Sequence, residues 1–418
     1  MIYRWAMSVS SILPRSKIIM NAVCEARGNI VPFLVAAILA VGVMMFMPSQ
    51  VINLRMQESL FPLIAITMAL CAMISPVSVS ITAFGFFVVM AAMVRFTPDS
   101  YAFLILTTYY LALYHLATSW RRLPEHQEMI FDVICIFALV NVVWIVIQAN
   151  GIYLIFQPLY QGSTETGWFA NRNESGAFLA ICLPLFFRRK AIWGILPITY
   201  GIYTVKCTNG MIAGCTVAGL YLCYLLCRNL DRKKAAAVVA GIALAAMLVV
   251  GLYMTFVHQG GWRERLKAYK AAIVLVMDKP VFGWGIGQSP YLVPLWMNAE
   301  KNPVQVNAAF YERVYYQGDF RKLYIEKHDY KNDFTEIWTH LHNEYLQWGI
   351  DAGMVGLLLL ALVIAAHLRR AWQNRAVVPG LALVASLVTA NAFFTFQIGR
   401  LLFLTVIFSA LTHVRDEV

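Results

Sequence analysis

From residue 30 to residue 414 the chain returns repeatedly to apolar runs about as long as a helix needs to cross hydrocarbon, separated by mostly short polar connections. Crossing as a helix takes roughly 17 to 25 predominantly apolar residues, because in lipid every backbone N–H and C=O must be paired within the spanning segment. The other solution, a closed barrel, would show ~10-residue stretches of alternating hydrophobicity, which this chain lacks. Composition agrees: 60% of the 418 residues are hydrophobic and 13% charged, with a mean hydropathy of +0.65. Soluble domains of this size do not show that balance. The expected fold is an all-α integral membrane protein.

The expected spans are 30–47, 59–75, 78–94, 101–118, 129–148, 173–187, 191–205, 211–227, 235–256, 343–366, 376–395 and 400–414. Twelve crossings put both termini on one side. The short connections on that side carry seventeen Lys and Arg, among them Arg121, Arg122, Arg188, Arg189, Lys190 and Arg369, against five opposite: Arg55, Arg95, Arg172, Lys206 and Arg400. By the positive-inside rule the termini are cytoplasmic. The chain divides into spans one to nine (1–256), one long outer loop (257–341) and spans ten to twelve (342–418). Its net charge of +11 follows largely from this asymmetry and signals anionic lipid rather than nucleic acid. The first apolar run has no small-residue cleavage pattern and reads as a retained helix. Eight cysteines lie in or beside the spans and none in the long loop, so no disulfide framework is expected. Cys223 and Cys227 share a helix face without His or Cys neighbours in sequence, and no metal site is expected there.

The long loop opens with GGWRERLKAYKAAIVLVMDKPVFGWGIGQSP. Leu266, Tyr269, Ile273 and Val276 recur at helical spacing while Arg263, Arg265, Lys267 and Lys270 supply charge, the pattern of a helix lying along a membrane surface. Pro280 and the glycines from Gly283 to Gly287 end it. This GxGxG follows no strand, so it is not read as a dinucleotide fingerprint. Further on, Phe310, Tyr311, Tyr315, Tyr316, Phe320, Tyr324, Tyr330 and Phe334 form either an aromatic belt at headgroup level or a platform on which sugar rings stack.

The loop closes on HLHNEYLQ, which runs straight into the tenth span. At ~100° per residue, His342, Gly349, Gly353 and Gly356 lie within about 60° of one another on a continuous helix. Glycines so spaced let another helix backbone approach closely, which would hold the His342 imidazole over a protein contact. An ionisable residue at a membrane boundary is a functional candidate, against the plainer reading of an interfacial hydrogen-bonding histidine. His340 points to the opposite face and does not form an i, i+4 metal pair with His342. Asp351, also opposite His342, reads as a packing or polar-pair residue.

His342-Asn343, nine residues, Gly353, two residues, Gly356 resembles the signature of the bacterial O-antigen ligase and O-antigen polymerase superfamily. Arg265-Leu266 through Ala272, then Lys279-Pro280-Val281-Phe282-Gly283-Trp284-Gly285, is similar to that family's arginine segment followed by Pro-x-x-Gly-x-Gly. Gly167-Trp168-Phe169-Ala170-Asn171-Arg172-Asn173 resembles its Asn-rich approach to an apolar helix. The resemblance spans roughly residues 167 to 366 and implies a GT-C-like membrane glycosyltransferase of the bacterial inner membrane, with interfacial helices in the periplasmic loop. It implies a donor glycan on undecaprenyl diphosphate and, as acceptor, lipid A-core for a ligase or a second lipid-linked glycan for a polymerase. Many members carry a second arginine in a short turn between the seventh and eighth helices; here the turn reads Lys206-Cys207-Thr208-Asn209-Gly210.

In such a reaction an acceptor hydroxyl displaces a lipid diphosphate that is already a good leaving group. The resemblance casts Arg265 as its electrostatic clamp, since a guanidinium is permanently charged and binds phosphate bidentately. His342, with an ordinary pKa near ~6.5, suits general base work. Arg263, Lys206, Arg172 and Arg400 are further outer cations, and Asn173, Asn343 and His340 complete the candidate substrate-binding set. No Asp-x-Asp element occurs, so no metal or other cofactor is expected. The ligase reading leads; a polymerase is the alternative within the enzyme class, and a lipid-linked sugar transporter or a non-catalytic scaffold for polysaccharide assembly are the alternatives outside it.

Overall fold

The computed structural model describes residues 114, 124–152, 165–169, 172–227, 260–289, 292–293, 343–391 and 399–412. All the regular structure described is helical: α1 (Pro124–Ala149), α2 (Arg172–Cys182), α3 (Ile195–Thr204), α4 (Thr208–Cys227), α5 (Gly260–Asp278), α6 (Glu344–Asn374), α7 (Val377–Ala390) and α8 (Gly399–Leu411). Short 3-10 turns occupy Leu183–Phe187 and Ile192–Gly194. Apart from Tyr114, the first four expected spans lie outside the described residues, as do the span 235–256 and the loop aromatics from Phe310 to Phe334.

Among the described residues three helices are long and apolar enough to cross a membrane: Ile130–Ala149, Thr208–Leu226 and Glu344–Asn374. This is a membrane protein. The expected spans match α1, α4, α7 and α8 closely. The span expected at 173–187 instead has an α-helix only to Cys182, because Pro184 sits in the first turn of the 3-10 segment and has no N–H to continue the α ladder. At ~1.5 Å per residue, the 31 residues of α6 extend about 46 Å, well beyond the ~30 Å of hydrocarbon. The surplus has a structural boundary. Gly353 (φ 61°, ψ −164°) breaks the helix, and the piece beyond it, 354–374, is by itself about 31 Å long.

One core joins α1 to α4 with α7 and α8, filled by Phe131, Phe178, Phe186, Phe408, Ile130 and Ile145, all fully buried. Within it α2 and α4 start side by side and run in parallel. A Cβ added to Gly210 would lie 2.7 Å from the Gly176 carbonyl oxygen, and one added to Gly176 would lie 2.7 Å from the Cys207 sulfur. Backbone against backbone leaves nothing to rotate away. Gly210→Ala is therefore expected to destabilise the protein by about 1–3 kcal/mol by forcing the helices apart, read as a lower melting temperature in detergent; an unchanged one would show that the crossing yields.

At the end of the bundle away from these helix starts, Arg188 is buried at 6% exposure. It donates to Glu128 at 2.9 Å, to Asp132 at 2.9 Å and to the Leu185 carbonyl at 3.0 Å, with its guanidinium 5.0 Å over the Phe131 ring. Lys190 pairs with Glu128 as well. One of the expected cytoplasmic cations is thus a structural tie between α1 and the chain after α2.

A second, smaller core joins α5 to the start of α6 through Ala268, Ala271, Ala272, Leu275 and Ile350. Of the expected apolar stripe of α5, Tyr269 and Val276 pack against this core. Leu266 and Ile273 are about half exposed, at 48% and 50%, and alanines at i, i+3, i+4 form the buried face. Small side chains are what a close helix contact demands: Val276 comes within 3.1 Å of where a Gly349 Cβ would stand.

Candidate functional site

Three chain connections and the start of α6 meet at one end of the bundle. The first, 165–169, is held down on α1 by two buried amides. Asn141 donates to Ser175 Oγ at 3.2 Å and accepts the Trp168 N–H at 2.9 Å; Gln148 accepts the N–H groups of Thr166 and Gly167 at 3.0 and 2.8 Å. Pinned so, the segment delivers Arg172 and Asn173 to the start of α2.

The second is the turn between α3 and α4. Lys206 adopts the left-handed conformation (φ 54°) that ends a helix, a position where glycine is commoner. Its ammonium faces Glu165 at 3.9 Å and is largely exposed. The next residue, Cys207, turns inward. Its sulfur accepts the Gly210 N–H at 3.3 Å, as an N-cap does, and its S–H donates to Asn173 Oδ1 at 3.4 Å. Burial raises its pKa, while the hydrogen bonds from Gly210 and Asn209 and the charges of Arg172 and Arg265 oppose the rise. With the net shift upward the group is a neutral thiol at neutral pH. The charges of two arginines from different segments thus reach this one sulfur.

The third connection supplies α5. One turn beyond Arg265, Tyr269 is mostly buried, and that burial raises its pKa; the Arg265 charge and a hydrogen bond from the Asn343 side chain act in the other direction. Asn343 is fixed at its other end too. Its Oδ1 caps α6 by accepting the Leu346 N–H at 3.0 Å, and its Nδ2 donates to Asn391 Oδ1 at 3.3 Å. Glu344, fully buried in the first turn, places a carboxylate where the helix's N–H groups favour one.

Of the residues expected from sequence, Arg265, Arg172, Asn173 and Asn343 come together, and Lys206 sits beside them but turned toward Glu165. His342 and His340 lie outside the described residues, as do Asn171 and the side chains of Arg263 and Arg400, although Arg263 and Arg400 fall on α5 and α8. Three participants were not singled out: Cys207, read only as part of the turn that lacks an arginine; Tyr269, absorbed into an apolar stripe; and Asn391, which carries no sequence signal. Tyr269 had one, four residues after Arg265 and so on the same helix face.

The glycine stripe on α6 takes a different form from the one expected. Because the helix breaks at Gly353, no single stripe runs from residue 342 to residue 356. At Gly349 a helix does approach, α5 through Val276, whereas at Gly353 the neighbour is the loop after α5. A Cβ on Gly283 would lie 2.5 Å from the Ile350 carbonyl oxygen and one on Gly353 2.6 Å from the Gly283 nitrogen. Asp351 is likewise more than a packing residue: Gly287, Gln288 and Ser289 all donate to its carboxylate.

The fold and this site define a polytopic helical membrane protein with arginines from separate segments gathered at one end of its bundle. Residues 194–361 match the family model described as O-antigen ligase. Over that segment the chain is similar to the O-antigen ligase family, which supports a place in the O-antigen ligase and O-antigen polymerase superfamily. No curated protein matches the chain.

Proposed function

We propose that the protein is an O-antigen ligase-type glycosyltransferase of the bacterial inner membrane, moving a glycan from undecaprenyl diphosphate to a lipid A-core hydroxyl at the periplasmic face. The observation that carries this reading is the contact of Cys207 with Asn173, the neighbour of Arg172, at a point the Arg265 charge also reaches, while Tyr269, one turn after Arg265, bonds to Asn343, the residue after His342. Two permanent cations from different segments suit a diphosphate, whose charge grows as the glycosidic bond to it breaks. The starts of α2 and α4 add backbone N–H groups beside them.

In this reading Arg265 stabilises the departing diphosphate and Arg172 takes the place of the arginine that the Lys206–Gly210 turn lacks. His342 removes the acceptor hydroxyl's proton as that oxygen attacks the anomeric carbon. The proton passes to the imidazole and the electron pair of the broken bond leaves with the diphosphate. No metal is assigned a role. Asn173, Asn343, His340, Arg263, Lys206 and Arg400 are proposed around the substrates, and the membrane lipid carries the donor's polyprenyl chain. The altered turn is the feature that keeps the polymerase alternative in view, with a second lipid-linked glycan as acceptor.

Incubating the purified protein with undecaprenyl-diphosphate glycan, with and without lipid A-core, separates these readings. Product on the core supports the ligase and longer lipid-linked chains the polymerase. Movement of donor across vesicles with no covalent product would overturn both in favour of a transporter.

A further inference from the structure

The Asp351 carboxylate is 7% exposed and takes four hydrogen bonds from one chain segment. Oδ1 accepts the N–H groups of Gln288 at 3.1 Å and Ser289 at 2.7 Å; Oδ2 accepts the Gly287 N–H at 3.1 Å and the Ser289 hydroxyl at 3.2 Å. The main chains join alongside. Trp284 and Gly285 donate to the carbonyls of Ile350 and Asp351 at 2.8 and 2.9 Å, and beyond the helix break Met354 and Val355 donate to those of Pro280 and Val281 at 2.7 and 3.1 Å. A buried carboxylate is costly unless its lone pairs are satisfied, and this one is satisfied wholly by main-chain and hydroxyl donors of the gripped segment.

That segment is the direct continuation of α5. Trp284 Nε1 folds back to donate to the Leu275 carbonyl at 3.0 Å, and the Lys279 ammonium lies 3.9 Å from the Trp284 ring centroid. Fixing residues 283–289 therefore fixes the end of α5. Along the helices the register is continuous: Tyr269 meets Asn343, Val276 meets Gly349 and Gly283 meets Gly353. The helices are parallel, so a slip of one residue at the seam would carry α5 along α6 by ~1.5 Å. A displacement of ~1 Å in a reacting or charge-stabilising group costs on the order of 10²-fold in rate.

We propose that Asp351 is a positioning residue, a clamp that sets the axial register of α5 on α6 and so holds the Arg265 guanidinium in its working position relative to Asn343 at the start of α6. This rests on the glycosyl-transfer reading above. Asp351 touches no substrate in it and acts only through Arg265.

Full-length variants purified in detergent and supplied with undecaprenyl-diphosphate glycan and lipid A-core test it. Asp351→Asn keeps the shape but turns an amide NH2 toward the cradle's donors. Its kcat is expected to fall about 10²-fold while KM for the donor stays within about threefold, as loss of a transition-state contact requires. The double variant Arg265→Ala, Asp351→Asn is expected to be no slower than Arg265→Ala alone, because the clamp has nothing left to position. Losses that multiply in the double variant, or wild-type kcat in Asp351→Asn, would overturn the proposal. Should Asp351→Asn fail to fold, Ser289→Ala removes one of the four bonds, and the same cycle with Arg265→Ala decides by the same criteria. If Arg265→Ala itself transfers at the wild-type rate, the assignment of Arg265 and this inference fall together. A slow Arg265→Ala beside a fully active Asp351→Asn sinks this inference alone.

Discussion

In the glycosyl-transfer reading Arg265→Ala is expected to lower glycan transfer by about 10² to 10⁴-fold while leaving insertion and the melting temperature near those of the native protein. The magnitude comes from two charge-assisted hydrogen bonds at roughly 1.5–3 kcal/mol each, every ~1.4 kcal/mol being tenfold. The selectivity comes from its position in the first half of α5, one turn before Ala268 of the cluster that packs α5 on α6. Arg265→Lys restores part of the rate, since charge survives but the bidentate fork does not. His342→Ala is the companion variant, with an expected loss of ~10² to 10⁴-fold. The native rate should also fall as pH drops through the range near ~6.5, where an ordinary imidazole gains its proton and ceases to be a base. Product formation on a gel against time, for equal amounts of folded protein, measures all of these. Near-native transfer by both alanine variants would refute the assignment.

Gly353→Val removes the folded protein. At φ 61° a β-branched residue is strained outright, and its Cβ would stand 2.6 Å from the Gly283 nitrogen, against backbone that cannot rotate aside. Relief would require either a straight α6, which loses the main-chain bonds from Met354 and Val355, or a displaced loop, which strips the donors from Asp351. Each route leaves buried polar groups unmatched at ~1–3 kcal/mol apiece. The expected destabilisation is about 4 kcal/mol or more, in the range reserved for defects of this kind. Yield of monodisperse protein on size exclusion reads it directly. A Gly353→Val variant that purifies and melts like the native protein would mean that the break is not required.

Much of this architecture was legible before any coordinates, because a bilayer leaves the chain few options. Apolar run length located α1, α4, α7 and α8. The family resemblance and the outer charges marked Arg265, Arg172, Asn173 and Asn343 as candidates; of these Asn173 bonds to Cys207 and Asn343 to Tyr269, one turn after Arg265. What was not legible depends on contacts between distant segments. Nothing within α6 marks Gly353 as the site of a break; the break exists because the loop after α5 supplies the hydrogen bonds that a continuous helix would have made. Asp351 read as ordinary for the same reason, since its partners lie more than 60 residues away. On α5 the alanines that form most of the face buried on α6 carried no signal of their own, because small side chains declare nothing about which face they take.

The side-by-side start of α2 and α4 has an electrostatic consequence. Each helix presents about half an elementary charge of positive sign at its first turn, and parallel alignment sets these like poles against each other beside two guanidinium groups. Glu174 in the first turn of α2 and Glu165 facing Lys206 offset part of that field. In the glycosyl-transfer reading the positive potential that remains is what draws the donor's pyrophosphate out of the bilayer to this corner.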